Sequence, residues 1–185
     1  MPNPIATIAT SRLLAEAITP SHHAELQRLY TDPLVVKTIA SAEGKPLSEE
    51  KIAERIQKAV DHWQQHGFGS WVFRLKKDGL FIGLGGLNIR QIDGQEVVGL
   101  GYAVMPNYLN QGFATEMAEA SLDVGFGHLG FPEIGSWTLP VNLASQRVME
   151  KLGFRYDRDF EFAGLLHRFY RLVAADWEGY HGKDI

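Results

Sequence analysis

The residues best placed to bind a charged ligand lie in the run Val104-Met105-Pro106-Asn107-Tyr108-Leu109-Asn110-Gln111-Gly112-Phe113-Ala114-Thr115. It joins a strand-like segment to a helix-like one through a glycine and small residues. Backbone N–H groups at a helix start are unpaired and point outward, so such a junction can hold a pyrophosphate. Gly112 would let the backbone come close to the phosphates, and Ala114 would keep the first turn narrow. Taken alone, a glycine before a helix is more often an ordinary loop residue. Further along, Asn142, Ser145 and Met149 share one helix face by their i, i+3, i+7 spacing. The Ser145 hydroxyl there either bonds its own backbone or is free for chemistry.

Two other patterns imitate sites. His62 and His66 stand four apart on a helix, a spacing that could share a metal. No third ligand accompanies them, so they read as solvent-exposed histidines, as do His22 and His23, and no metal is expected. Gly83-x-Gly85-Gly86 and Gly99-x-Gly101 mimic parts of a dinucleotide fingerprint, but neither opens a helix after a strand.

The elements that must position these residues follow from periodicity. Thr10 to Ile18 reads as a first strand, and Thr19-Pro20 opens a short helix through Tyr30. Ser48-Glu49-Glu50 opens a longer helix whose Ile52, Ile56, Ala59, Val60 and Trp63 form one apolar face, stopped by Gly67. Ser70 to Leu75, Phe81 to Ile89 and Val97 to Met105 read as an antiparallel meander, with turn signals at Lys77-Asp78-Gly79 and Asp93-Gly94. A helix over Ala114 to His128, a strand over Ile134 to Leu139 and a helix over Asn142 to Leu152 follow. Strands over Phe154 to Phe162 and His167 to Val173 end the series. The order β-αα-βββ-α-β-α-ββ predicts an α/β chain with a mixed sheet and helices on both faces.

Bulk properties narrow the classes. The chain has 185 residues, suiting one domain over 1–185 with a core of about 10–172. No run of 18 apolar residues is present, so no membrane partner is expected. The segment Met1 to Thr10 has two prolines and no basic residue, unlike a signal peptide. Net charge is −4 without a block of like charges, which argues against nucleic acid as a partner. With no cysteine there is no disulfide scaffold, Cys nucleophile or Cys-based zinc site, and a cytoplasmic location is the expectation.

Gln111-Gly112-Phe113-Ala114-Thr115-Glu116 resembles the coenzyme A pyrophosphate loop of the GNAT acetyltransferase superfamily, Gln/Arg-x-x-Gly-x-Gly/Ala. Gly112 and Ala114 match, while Leu109 stands where the superfamily has Gln or Arg. The RimJ/RimL-type branch, ribosomal-protein N-acetyltransferases, commonly shows that departure. Asn142-Leu143-Ala144-Ser145 with Lys151-Leu152-Gly153-Phe154 resembles the same branch's Asn-x-x-Ser and Lys-x-Gly-Phe segments. Thr10-Ser11-Arg12-Leu13 resembles its opening strand and Phe81-Ile82-Gly83-Leu84-Gly85-Gly86-Leu87 its third. The matches run in order from about residue 10 to 172.

The resemblance implies transfer of an acetyl group from acetyl-CoA to a primary amine, on a peptide N-terminus or a small molecule, by direct attack. It implies coenzyme contacts at Val104, Met105, Asn110, Gln111, Gly112, Phe113, Ala114, Thr115, Asn142 and Ser145. The pantetheine arm would pair with the backbone of Val104 and Met105, in a gap before the strand near Ile134. Ser145 is the expected acid, because Met149 occupies the place of the superfamily's tyrosine. The base is open: Gly99-Leu100 precede Gly101-Tyr102 where the branch often has Glu, leaving Glu96, Glu43, Asp93 or a water chain. A non-catalytic coenzyme A- or peptide-binding module is the alternative, supported by that missing Glu and by Ala15-Glu16 in place of Leu-Arg. Monomer and homodimer are both compatible. Ala40 to Pro46 and Asp159 to Leu166 are expected to wall the acceptor pocket. Gly112→Val is expected to remove coenzyme binding with the free protein's melting temperature almost unchanged.

Overall fold

A computed structural model describes residues 5–38 and 45–181. Among these, the chain opens with β1 (Thr7–Ala9), β2 (Leu13–Ala17), α1 (His23–Thr31), α2 (Pro33–Val36) and α3 (Glu49–His66). The meander is β3 (Ser70–Leu75), β4 (Phe81–Ile92) and β5 (Gln95–Val104). Then come α4 (Phe113–Leu122), β6 (Glu133–Thr138), α5 (Leu143–Lys151), β7 (Arg155–Phe162), β8 (Leu165–Val173) and α6 (Ala174–His181). The sheet order is β1-β2-β3-β4-β5-β6-β8-β7, antiparallel throughout the described pairs except for β5 against β6. The mixed α/β sheet is the one expected, with additions at its ends.

The single first strand expected over Thr10 to Ile18 is two strands. Thr10 folds back, its N–H and hydroxyl both meeting the Leu13 carbonyl, so β2 starts at Leu13 and Thr7–Ala9 returns beside it as β1. Helix α6 escaped the periodicity reading because Trp177, 3% exposed, carries most of its burial alone. The helix starts follow capping rules. Ser48 accepts the Lys51 N–H at 3.3 Å, and Gly67 ends α3 with φ of 75°. The turn before α1 is held by His22, whose Nδ1 accepts the Thr19 N–H at 3.0 Å while its Nε2 meets Glu16 at 3.2 Å. His22 is 5% exposed and structural, contrary to the exposed histidine expected.

Two larger cores flank the sheet, beside a smaller cluster of Ile92, Phe160 and Phe169. On one face Leu13, Phe73, Leu87, Leu100, Met117 and Met149 pack with α4 and α5. On the other, Leu26, Leu29, Ile52, Ile56 and Val72 pack with α1 and α3, against Leu84 and Ala103 of the central strands. His62 is half-buried between α3 and β4 rather than in solvent. Its Nδ1 donates to the Phe68 carbonyl at 2.8 Å and its Nε2 accepts the Ile89 N–H at 3.1 Å, tying α3 to β4. Each helix layer is thereby fixed against the strands that lead into the central gap.

Candidate active site

Strands β5 and β6 pair only at Gly99 with Gly135 and Leu100 with Ser136. Beyond that point they diverge, although β5 continues to Val104 and β6 to Thr138. The Ser136 hydroxyl closes the fork by donating to the Leu100 carbonyl at 3.0 Å. Gly99 has no side chain because the Trp137 ring occupies the space, 2.5 Å from where a Cβ would stand. A cleft of about 1100 Å³ opens at the divergence and joins the two sides of the sheet.

The edge of β5 that faces this gap can be read from its hydrogen bonds. Met105 gives its N–H to the Ile82 carbonyl of β4 at 2.8 Å. In an antiparallel strand successive residues point to alternate neighbours. Tyr102 and Val104 therefore direct their backbone groups toward the gap, and Met105 does not. Val104 faces the gap. Met105 is turned to β4 and packs under the α1–α3 layer.

Helix α4 begins at the mouth of the cleft. Its N-cap is Gly112, with φ of 80°, and no side chain among the described residues caps it. By contrast Asp32, Ser48 and Asn142 cap α2, α3 and α5 with their side chains. The first N–H groups of α4 are thus left for an external acceptor, and Asn110, Gly112, Phe113, Ala114 and Thr115 line the cleft. Gln111 lies outside the lining. Its carbonyl accepts from Arg12 Nη1 at 2.9 Å.

The same arginine holds the first turn of α4 in place. Arg12 Nε meets Glu116 at 2.6 Å, and its guanidinium lies 4.2 Å from the Phe113 ring centroid. The Glu116 carboxylate also accepts from Thr10, Ser11 and the Arg12 backbone. Burial alone would raise the Glu116 pKa, but these hydrogen bonds outweigh it and hold the carboxyl below its ordinary value.

The wall opposite α4 is the start of α5. Asn142 Oδ1 caps the helix by accepting the Ser145 N–H at 3.2 Å, and both residues line the cleft. The Ser145 hydroxyl lies 3.1 Å from the Tyr102 hydroxyl, which also donates to the Ser145 carbonyl at 3.1 Å. Burial pushes the Tyr102 pKa up to about 12, so the phenol keeps its proton at neutral pH. Gln146 pins this corner, donating to Pro140 at 2.8 Å and accepting from Arg168 at 2.9 Å. Met149 is fully buried in the core, a packing residue on the turn below.

The base candidates are not brought to this corner. Glu96 is exposed near the β4–β5 turn, opposite Gln91 and six residues from Tyr102, roughly 20 Å along the strand. Asp93 is at the same turn, in a 2.9 Å ion pair with Arg158. Glu43 and most of the proposed Ala40 to Pro46 wall lie outside the described residues. Of the second wall, Phe162 lines the cleft.

A family model described as "Acetyltransferase (GNAT) domain" matches residues 12–155. The chain belongs to the GNAT acetyltransferase family. The uncharacterized protein YkkB of Bacillus subtilis (strain 168) is 30% identical over 135 residues, spanning 70% of this chain and 73% of YkkB. The FsC-acetyl coenzyme A-N(2)-transacetylase of Aspergillus fumigatus is 30% identical over 169 residues, spanning 83% of this chain and 67% of that protein. In fold, the chain is similar to RimL, the ribosomal L7/L12 alpha-N-protein acetyltransferase, in complex with coenzyme A. The TM-score is 0.72 at 17% identity, over 90% of this chain and 97% of the other. Among the described residues of this GNAT chain, no helix is long and apolar enough to cross a membrane.

The sequence reading missed Tyr102 as a partner of Ser145, and it missed Arg55 and Arg90, which line the cleft from α3 and β4. Nothing in local spacing signals them. Tyr102 and Ser145 are 43 positions apart and meet only because the sheet is open between β5 and β6.

Proposed function

We propose that this GNAT chain is a RimJ/RimL-type N-acetyltransferase, moving an acetyl group from acetyl-CoA to a primary amine by direct attack. One observation carries the reading: an uncapped helix start and a serine–tyrosine pair face each other across an open strand gap. The residues fit the coenzyme. Gly112 leaves the α4 amides accessible to a pyrophosphate, and a Cβ at Gly101 would meet nothing within 4 Å, so the cleft has room over the α1–α3 face of β5. Asn110 and the first residues of α4 would take the phosphates, and the outward backbone of Tyr102 and Val104 would take the pantetheine amides.

When bound, the coenzyme supplies a thioester whose carbonyl carbon accepts the amine. The N–C bond forms, the C–S bond breaks, the amine proton leaves to water and the thiolate gains a proton. Ser145 is the proposed donor of that proton. Tyr102 orients it: with a pKa of about 12 the phenol keeps its single proton, which it gives to the Ser145 carbonyl, and its oxygen stands 3.1 Å from the Ser145 hydroxyl. Among the described residues no carboxylate lines the cleft. An amine that is already partly neutral therefore suits the site. An α-amine titrates near ~7.7–8.0 and a lysine near ~10.4, a handicap of roughly 4 kcal/mol for lysine at neutral pH. The fungal relative's N(2) transfer, as its name states it, favours an amine acceptor here.

The test is release of free coenzyme A thiol when the protein meets acetyl-CoA and a panel of amines, with coenzyme binding measured in parallel. Thiol release that depends on amine, and faster turnover of an N-terminal amine than of a lysine-only peptide at pH 7, is expected. Tight coenzyme binding without any amine-dependent release would mark a non-catalytic binding module.

A further inference from the structure

The cleft has a charge opposite in sign to the chain. Arg55, Lys58, Arg90, Arg147 and Lys151 line it, and among the described residues no Asp or Glu does, although the net charge is −4. Whole-chain acidity is thus a poor guide to the acceptor, because the field in a cleft is set by the groups on its walls. Lys58 is already paired with Glu54 at 2.7 Å. Arg147 and Lys151 are one turn apart on α5, which packs against α4, so both can meet coenzyme phosphates held at the α4 start.

Arg55 and Arg90 have no such explanation. Arg90 alternates with Asn88 and Leu84 on β4, so all three share the face covered by α1 and α3. The Arg55 guanidinium lies 5.3 Å from the ring centroid of Tyr30 on α1. Both residues keep exposed surface; Arg55 hydrogen-bonds the Tyr30 hydroxyl and Arg90 Nη1 donates to the Ile89 carbonyl at 3.2 Å, but among the described residues no carboxylate pairs with either. Desolvation by the surrounding wall, and then the like charge of Arg55, lower the Arg90 pKa. Two like charges on one wall repel unless something anionic sits between them.

Position relates them to the reacting centre. Val97, the partner of Arg90, is five residues before Tyr102, or ~16 Å of strand, a span divided between the arginine side chain and an extended short peptide. Trp137 and Phe162 supply apolar wall on this side. An acceptor entering from the α1–α3 face would meet the two guanidinium groups while its amine reaches the gap.

We propose that Arg55 and Arg90 form a carboxylate-binding subsite, so that the acceptor is a small aminocarboxylate whose acid group lies several bonds from its amine, as in a short peptide. This rests on the acetyltransferase reading above. A guanidinium fork matches a carboxylate in shape and charge, so the pair selects acceptors by their acid end while the gap selects by amine.

The experiment compares a dipeptide bearing a free C-terminal carboxylate with the same dipeptide as its C-terminal amide. The carboxylate is expected to have a kcat/KM about tenfold to a hundredfold higher, the range of a charge-assisted hydrogen bond. Arg55→Gln and Arg90→Gln should each erode that ratio, Arg55→Lys and Arg90→Lys should keep part of it, and coenzyme A affinity should be unchanged in all four. N-acetylated forms of both dipeptides, titrated calorimetrically into the coenzyme-loaded protein, read the subsite without turnover. Equal binding or turnover of acid and amide, or a preference that survives both Gln substitutions, overturns the proposal. A carboxylate preference in the calorimetry without thiol release would leave the subsite standing and sink only the acetyltransferase reading.

Discussion

The Tyr102 and Ser145 hydroxyls lie 3.1 Å apart, joining strand β5 to helix α5 across the open end of the sheet. The contact divides labour between a residue held by the strand and one held by the helix cap. Ser145→Ala is expected to lower kcat by about 10²–10⁴ while coenzyme A affinity stays within a few-fold, since binding rests on backbone groups. Tyr102→Phe should lower kcat less, with KM for the acceptor little changed. Its pH–rate profile should keep its shape from pH 6 to about 9, because a phenol at about 12 does not titrate there. A limb that vanishes with the tyrosine would make Tyr102 a titrating group instead.

Gly112→Val is expected to do two things. Coenzyme A at a hundredfold above its Kd should stabilise the wild type by ~2.7 kcal/mol, and the variant should lose that gain. The free protein should also melt lower, in contrast to the expectation from sequence. Residue 112 has φ of 80°, and an L residue there costs roughly 1–2 kcal/mol. Thermal melts with and without coenzyme separate the two effects, and Gly112→Asn should show the smaller loss in the free protein.

Glu116→Gln tests the anchor of α4. The carboxylate accepts from Thr10, Ser11 and Arg12, so the amide should loosen the first turn and weaken coenzyme binding. The folded carboxyl is held below its ordinary value. Its stabilisation is therefore complete above the unfolded value of ~4.3 and is lost as pH falls through the folded one. Denaturant melts at a series of pH values should show wild type and variant converging on the acid side. A gap that stays constant down to pH 3 would remove the anchor role.

His62 supplies a second pH dependence, at milder acidity. Burial lowers its pKa, the Phe68 carbonyl opposes this, the nearby His66 and Arg90 add to the lowering, and the neutral ring is the form that accepts the Ile89 N–H. A depressed folded value means that the unfolded chain takes up the proton first. Stability should be full above ~6.5 and fall as pH drops through the folded value. His62→Phe should lower stability at pH 8 and flatten this slope, so that the difference from wild type narrows toward pH 5. Parallel curves for the two proteins would mean that the slope belongs elsewhere.

Much of the architecture was legible one element at a time. Ser48, Gly67 and the apolar stripe of α3 are local signals, and so are the Asp93-Gly94 turn and the alternation of β5. Each depends on residues a few positions apart, which is the range over which backbone preference and burial pattern act. The Gly112 loop and the helix beginning at Asn142 were readable for the same reason, since a helix start is set by residues close to it. The extra strand β1 was not, because three residues show no period.

What the tertiary structure decided was which groups meet. Tyr102 reaches Ser145 because β5 and β6 stop pairing after Leu100, and that divergence leaves no mark in either strand's own residues. Glu96 keeps the right face of β5 but lies six residues away, a separation that alternation cannot register. Met105 is adjacent to Val104 in sequence yet bonds to the opposite neighbour, because strand hydrogen bonds alternate in direction. Arg55 and Arg90 are far apart in sequence and come to line one cleft only when α3 is laid over β4, with no carboxylate among its described lining. Local sequence sets which elements form. Charge and proton transfer act through space, so the site is fixed only when the sheet brings distant segments within a few ångströms.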